Sequence, residues 1–296
     1  MHSLFVLLGM SAFGTSNVLW KPLLGTRSSN SLLFSRSCWT VGALAIMLFF
    51  SMYLNEVPEW LRFLVSSRGH ALTGEILAGS VASILLSLTG LYLFIFSLNH
   101  QPAGISGMIV CTSTALSAVL GWLVNNDPFE WTVVAALLLC SAGILLLDGT
   151  DLRTLRFNKG IVAAITGAAC WGVANLGFKK MIPETGVLPF SLIQETTVLS
   201  VSGLGLLVLR SPGNSQSRIP VTNSSILLIG LFTLVGVVFC NLGMNGMPVS
   251  RFAVLVLAQP LTTFMLAAFW LKERTSALQK LGAGLILVGI YLAASN

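Results

Sequence analysis

Ten long apolar stretches run along this chain, separated by connectors that are mostly short and polar. A helix needs about 20 apolar residues to cross a bilayer. Stretches of that kind lie at 3–24, 32–54, 75–98, 103–124, 130–148, 160–181, 187–209, 225–245, 250–271 and 278–294, and each is predicted to be a spanning helix. The longest connectors, 55–75, 148–160 and 210–225, are too short for a soluble domain. Span three carries Ser80, Ser83, Ser87 and Gly90 at helical spacing. Such a small-residue stripe lets helices approach closely where lipid supplies no hydrophobic drive. Gly282 and Gly289 do the same on span ten.

The polar positions inside these stretches recur. Residues 9–22 read GMSAFGTSNVLWKP and residues 167–180 read GAACWGVANLGFKK. At an offset of 158, Gly9 meets Gly167, Phe13 meets Trp171, Gly14 meets Gly172, Asn17 meets Asn175 and Lys21 meets Lys179. At 146, Gly90 meets Gly236, Asn99 meets Asn245, Pro102 meets Pro248, Asp127 meets Glu273 and Gly143 meets Gly289. The connector 148–160 has five spans on each side. Five is odd, so two copies of the unit cross in opposite senses, an inverted-topology repeat of the kind common in secondary transporters. The fold expected is an all-α integral membrane bundle of ten transmembrane helices. It divides into two inverted five-helix repeats, 1–150 and 151–296, within one transport domain.

Composition agrees. Apolar residues make up 55 % and charged residues 9 %, with mean hydropathy +0.87, whereas soluble domains carry about 25 % charged residues. The net charge of +6 is spread over many connectors without an aromatic-interleaved basic patch, so no nucleic-acid partner is expected. Cys38, Cys111, Cys140, Cys170 and Cys240 lie in apolar stretches without metal-ligand or disulfide spacing. His2, His70 and His100 are scattered, so neither a metal nor another cofactor is implied. The first stretch lacks a basic start and a small-residue cleavage site, and reads as a retained helix rather than a signal peptide.

A polar side chain at membrane depth is costly and usually faces a partner helix or a watery cavity. Glu195 lies about nine residues into span seven and shares a helix face with Gln194 and Ser191. It binds a cationic group, takes up a proton, or pairs with a fixed cation such as Arg36 or Lys179. Asn17 and Asn175 either join helices by hydrogen bonds or line a cavity. Snorkelling accounts for Lys21 and, slightly better than ligand binding, for Arg36; Lys179 stays open. Asn241 and Asn245 are four apart on span eight, and Gln259 precedes Pro260, a proline that must kink span nine and free a backbone carbonyl. Trp39 aligns with Glu195 at an offset of 156, which would set an aromatic in one half opposite a carboxylate in the other. Tyr92, Trp39 and Trp171 are candidate stacking or gating surfaces.

Residues 250–293, SRFAVLVLAQPLTTFMLAAFWLKERTSALQKLGAGLILVGIYLA, resemble the closing half-repeat of the EamA-type transporters of the drug/metabolite transporter superfamily. The resemblance rests on Pro260, on Lys272, Glu273 and Arg274, and on Gly282, Gly284 and Gly289. Residues 167–180 resemble that family's opening helix, with Trp171–Gly172 as its aromatic-glycine pair. The resemblance implies ten helices in two inverted halves and transport of small organic solutes, often as export. The first half departs from the pattern, with Ser113 and Thr114 at the Gln–Pro positions and Asp127 in place of the loop Glu.

The expectation is a secondary transporter moving a small polar or amphipathic metabolite, an amino acid or similar, by alternating access. The substrate-binding residues expected are Glu195, Gln194, Asn17, Asn175, Trp39, Trp171, Tyr92, Asn241 and Gln259. A proton is the candidate coupling ion if Glu195 titrates. A sugar or nucleotide-type metabolite exchanger is the alternative substrate reading. A channel and a membrane-embedded enzyme are the rivals from other classes; the enzyme lacks any catalytic motif here. The partners expected are the small molecule and the lipid bilayer, for a monomer or homodimer in the cell (inner) membrane. Orientation is contested. Loops after odd-numbered spans and the adjoining span ends hold eleven cations: Lys21, Arg27, Arg36, Arg153, Arg156, Lys159, Arg210, Arg218, Lys272, Arg274 and Lys280. The other side holds Arg62, Arg68, Lys179, Lys180 and Arg251. The positive-inside rule then places both termini outside, whereas the family resemblance implies cytoplasmic termini; the charge count is the reading adopted.

Overall fold

The computed structural model describes residues 1–24, 28–53, 73–98, 100, 103–148, 158–208, 224–270, 272 and 275–295. Among them there are helices and no strands. In chain order these are α1 (His2–Leu24), α2 (Ser29–Tyr53), α3 (Gly74–Leu98), α4 (Ala103–Val124), α5 (Trp131–Asp148), α6 (Lys159–Thr185), α7 (Val187–Val208), α8 (Ser224–Asn245), α9 (Val249–Val256), α10 (Ala258–Trp270) and α11 (Ala277–Ala294). Eight stretches are long and apolar enough to cross a bilayer, α9 and α10 together forming one of them. Shorter apolar stretches, Cys111–Val124 and Trp131–Leu147, lie in α4 and α5. Arg27, Arg62, Arg68, His70, Asn99, Pro102, Arg153, Arg156, Arg210, Arg218, Glu273 and Arg274 lie outside the described residues, as do the side chains of Lys21 and Pro22.

Two elements depart from the hydropathy pattern. α6 runs past residue 181 to Thr185, with Pro183 inside its last turn. There the proline costs only the bond its missing N–H would have made to the Lys179 carbonyl. Asn158 caps the start, its side chain accepting from Ile161 N at 3.0 Å. Gly186 alone joins α6 to α7, at φ 85, a backbone angle that glycine adopts freely and other residues seldom do. The ninth span is two helices. It breaks at Leu257, three residues before Pro260, whose ring cannot pack against an unbroken preceding turn. The corresponding stretch of the first half, without a proline, is the continuous helix α4.

The helices pack in a definite pattern. α1 lies along α8 and α3 lies along α6; α1 also packs on α10 and α4 on α6; α2 meets α7, and α5 meets α11. Close approaches make these crossings. A Cβ on Gly90 would stand 2.9 Å from the Gly167 carbonyl oxygen, and one on Gly9 would stand 3.0 Å from that of Gly236. Gly79 and Gly177 bring α3 and α6 together at Met181 and Ser83, as the small-residue stripe predicts. α11 opens with a capping box of Ser276 and Gln279, and the Gln279 amide donates to the Leu147 carbonyl at 3.0 Å, tying it to the end of α5.

His2 lies against Gly246, so the amino terminus and the α8–α9 turn share one face of the bundle. There Asn126, at φ 54, turns the chain so that Asp127 reaches α9, its carboxylate accepting from Ser250 N at 3.0 Å. That N–H is one of the first-turn donors that a helix cannot satisfy internally. Beside it Arg251 Nη2 bonds both Glu130 oxygens, at 2.6 and 2.7 Å.

Candidate functional site

Between the helices lies a cavity of about 530 Å³, within the range of about 300–1,000 Å³ common for small-molecule sites. Its floor, toward the face carrying the termini, includes the buried Met244 and Phe252. Toward the opposite face its walls reach Leu33 and Phe94, each one turn from its helix end, and the exposed Asn17. Phe13, Trp171 and Phe178 add aromatic surface; Phe94 and Trp171 meet tilted, at 6.0 Å between ring centres. The cavity is therefore amphipathic, with buried side chains toward the face that carries the termini and the exposed Asn17 toward the other.

Its polar wall is built where α2, α7 and α8 meet. Glu195 is 2 % exposed. Arg36 Nη2 donates to Glu195 Oε2 at 2.9 Å and to Oε1 at 3.3 Å. The Ser37 and Thr40 hydroxyls each donate to Oε2 at 3.1 Å. Positions 36, 37 and 40 fall within one turn of α2, which is why all three reach one carboxylate. One helical turn back on α7, Ser191 accepts from Asn241 Nδ2 at 3.0 Å, and Gln194 Oε1 accepts from the same nitrogen at 3.1 Å.

The remaining expected residues divide. Asn175 lines the cavity and donates to the Ser117 hydroxyl at 3.0 Å. Asn17 lines it too, with a long 3.5 Å contact to the Thr263 hydroxyl. Gln259 and Pro260 lie on the wall at the α9–α10 break, and Ser113 and Thr114 of α4 also line the cavity. Trp171 stands inside it as well. Trp39 and Tyr92 do not line it. Trp39 is 47 % exposed beside Gly230, not facing Glu195, and the Tyr92 hydroxyl donates to Asn30 Oδ1 at 2.8 Å. Asn245 is not part of the wall either.

Of the alternatives open for Glu195, the fixed cation is present, and it is Arg36. Lys179 goes elsewhere, donating to the Met244, Asn245 and Met247 carbonyls at 3.1, 3.3 and 2.8 Å. A cation there satisfies the free carbonyls at the end of α8 and opposes the negative end of its dipole. Arg36 does not snorkel: its side chain is 12 % exposed. Sequence reasoning passed over Arg36, Ser37 and Thr40 as site residues; the available signal was an Arg with two hydroxyls in one turn of a span. Among the described residues no cluster of His, Cys, Asp or Glu could hold a metal ion.

Comparison with known proteins agrees with this architecture. The EamA-like transporter family matches residues 158–295. An uncharacterized transporter of Synechocystis is 28 % identical over 68 % of this chain, a match that spans 62 % of the relative's own length. A probable amino-acid metabolite efflux pump of Escherichia coli K12 is 24 % identical over 65 % of this chain and 67 % of its own. One solved crystal structure superposes over 99 % of this chain and 96 % of its own with a TM-score of 0.74 at 16 % identity, which shows a shared fold. Residues 158–295 are thus similar to the EamA-like transporter family, and the long apolar helices are those of an integral, multi-pass membrane protein.

Proposed function

We propose that this chain is a secondary transporter that carries a small polar or amphipathic metabolite, of amino-acid type, by alternating access between two inverted five-helix repeats, 1–150 and 151–296. The observation that carries the reading is the amphipathic cavity between the helices, with a buried ionic group on its wall.

The packing supports the repeat. Exchanging the first five crossings for the last five turns the α1–α8 pair into α6–α3 and the α1–α10 pair into α6–α4, and leaves α2–α7 and α5–α11 unchanged. The glycine contacts obey the same exchange. Gly9 on Gly236 becomes Gly167 on Gly90. Gly143 against the Gly282 carbonyl becomes Gly289 against that of Ala136. The offsets that relate these residues are those that relate the two halves of the sequence. Two pseudo-equivalent halves around one cavity are what rocking between two openings requires.

With the more basic face cytoplasmic in the cell (inner) membrane, both termini lie outside. A reporter fused after Asn296 reads out that orientation. Purified protein in liposomes, preloaded with pools of amino acids, sugars or nucleotides, should show saturable counterflow of labelled solute from one pool. Flux without counterflow would make it a channel, and an absence of flux would remove the transport reading. If a proton drives the cycle through Glu195, Glu195→Gln flattens the pH dependence of uptake; an unchanged profile removes Glu195 from coupling.

A further inference from the structure

We infer that Arg36 is the residue that selects for a carboxylate on the substrate, with Glu195 selecting for a cationic amine, so that the resting Arg36–Glu195 pair stands in for a zwitterion when the pocket is empty. This rests on the carrier reading.

Three observations carry it. Arg36 and Glu195 are the formal charges among the cavity-lining residues, one of each sign. Each partner keeps unused bonding capacity. Arg36 serves Glu195 and Ser37 through Nη2 alone, and its buried Nε–H has no acceptor. Glu195 Oε2 accepts three donors, whereas Oε1 accepts one, at 3.3 Å. The aromatic wall of Phe13, Phe94 and Trp171 faces the same space and suits an apolar side chain.

The selection rule follows from charge balance. A neutral ligand cannot repay separation of a buried ion pair, because each ion would be left without its counter-charge. A ligand with one net charge satisfies one partner and strands the other in a low-dielectric site. A zwitterion brings both charges: its carboxylate takes the guanidinium edge at Nε, which fits a planar two-oxygen group, and its ammonium takes Glu195 Oε1. Esters, amides, decarboxylated amines and deaminated acids each lack one half of that exchange. A site built to pair a polar group rejects analogues that lack it far more strongly than an apolar pocket rejects a missing methylene.

The test uses the full chain in liposomes and measures competition against labelled leucine counterflow by leucine, leucine methyl ester, isocaproate and isoamylamine. Unmodified protein should prefer leucine over each of the other three by at least about tenfold. Arg36→Gln should bring the ester to within about twofold of leucine, with Arg36→Lys between the two. The ratio between competitors is insensitive to how much protein folds, and Arg36→Gln/Glu195→Gln, which removes both charges together, should also lose the preference. Equal competition by the ester in the unmodified protein overturns the inference and leaves carriage standing. So does an unchanged ratio in Arg36→Gln, or counterflow of other pools without any of leucine. An absence of counterflow for every pool overturns the carrier reading itself.

Discussion

Breaking the Arg36–Glu195 pair from one side should cost much more than removing it whole. The two groups are 12 % and 2 % exposed and 2.9 Å apart. Unit charges about 4 Å apart attract by about 4 kcal/mol at an effective dielectric of about 20. Desolvation of two ions consumes most of that gain, so the intact pair adds little net stability. With one partner gone, the desolvation cost of the other stays uncompensated. Arg36→Met leaves the Glu195 carboxylate with two hydroxyl donors, and Glu195→Met leaves a buried guanidinium with one hydroxyl acceptor, that of Ser37. Each should lose about 3–5 kcal/mol. Arg36→Met/Glu195→Met should lie within about 1 kcal/mol of the parent, since apolar groups of similar length replace both ions. The assay is reversible unfolding by sodium dodecyl sulfate in mixed micelles, followed by Trp fluorescence, as a double-mutant cycle. A coupling energy of about 5 kcal/mol or more is therefore expected. Losses in the double variant that equal the sum of the singles would refute the reasoning.

Two further outcomes follow from packing. Gly90→Ala should destabilise the bundle by about 1–3 kcal/mol in the same unfolding assay, since its Cβ would meet the Gly167 carbonyl at 2.9 Å. Gly42→Ala and Gly284→Ala, which meet nothing within 4 Å, should be neutral or gain up to about 1 kcal/mol; equal losses at all three would contradict the crossing. Arg251→Ala should loosen the start of α9 on the termini face, next to the cavity-lining Phe252. In a chain whose other four cysteines are Ala, a bulky maleimide applied from that face should then label Cys240 about fivefold faster, as expected for losing about 1 kcal/mol from a partly exposed pair. An unchanged labelling rate would show that the pair does not hold the start of α9.

The long apolar helices were legible because crossing a bilayer demands length and apolarity, and both are local properties of a sequence. The break was legible for the same kind of reason: an unbroken turn before Pro260 would clash with its ring, and that is a local property too. Where α6 ended was not legible, because Pro183 reads as a stop and is tolerated in a last turn.

Partnership was decided only in three dimensions. Glu195 had Arg36 and Lys179 as candidate cations, and hydropathy treats the two alike. The rotation of α2 against α7 brings Arg36, Ser37 and Thr40 to the carboxylate, while the end of α8 takes Lys179 onto its free carbonyls. Trp39 shares the turn of Arg36 yet points outward, because it lies about 60° from Arg36 on the side away from Ser37 and Thr40. A sequence states which residues are too polar for lipid; the angles at which helices meet decide which of them face one another across the cavity.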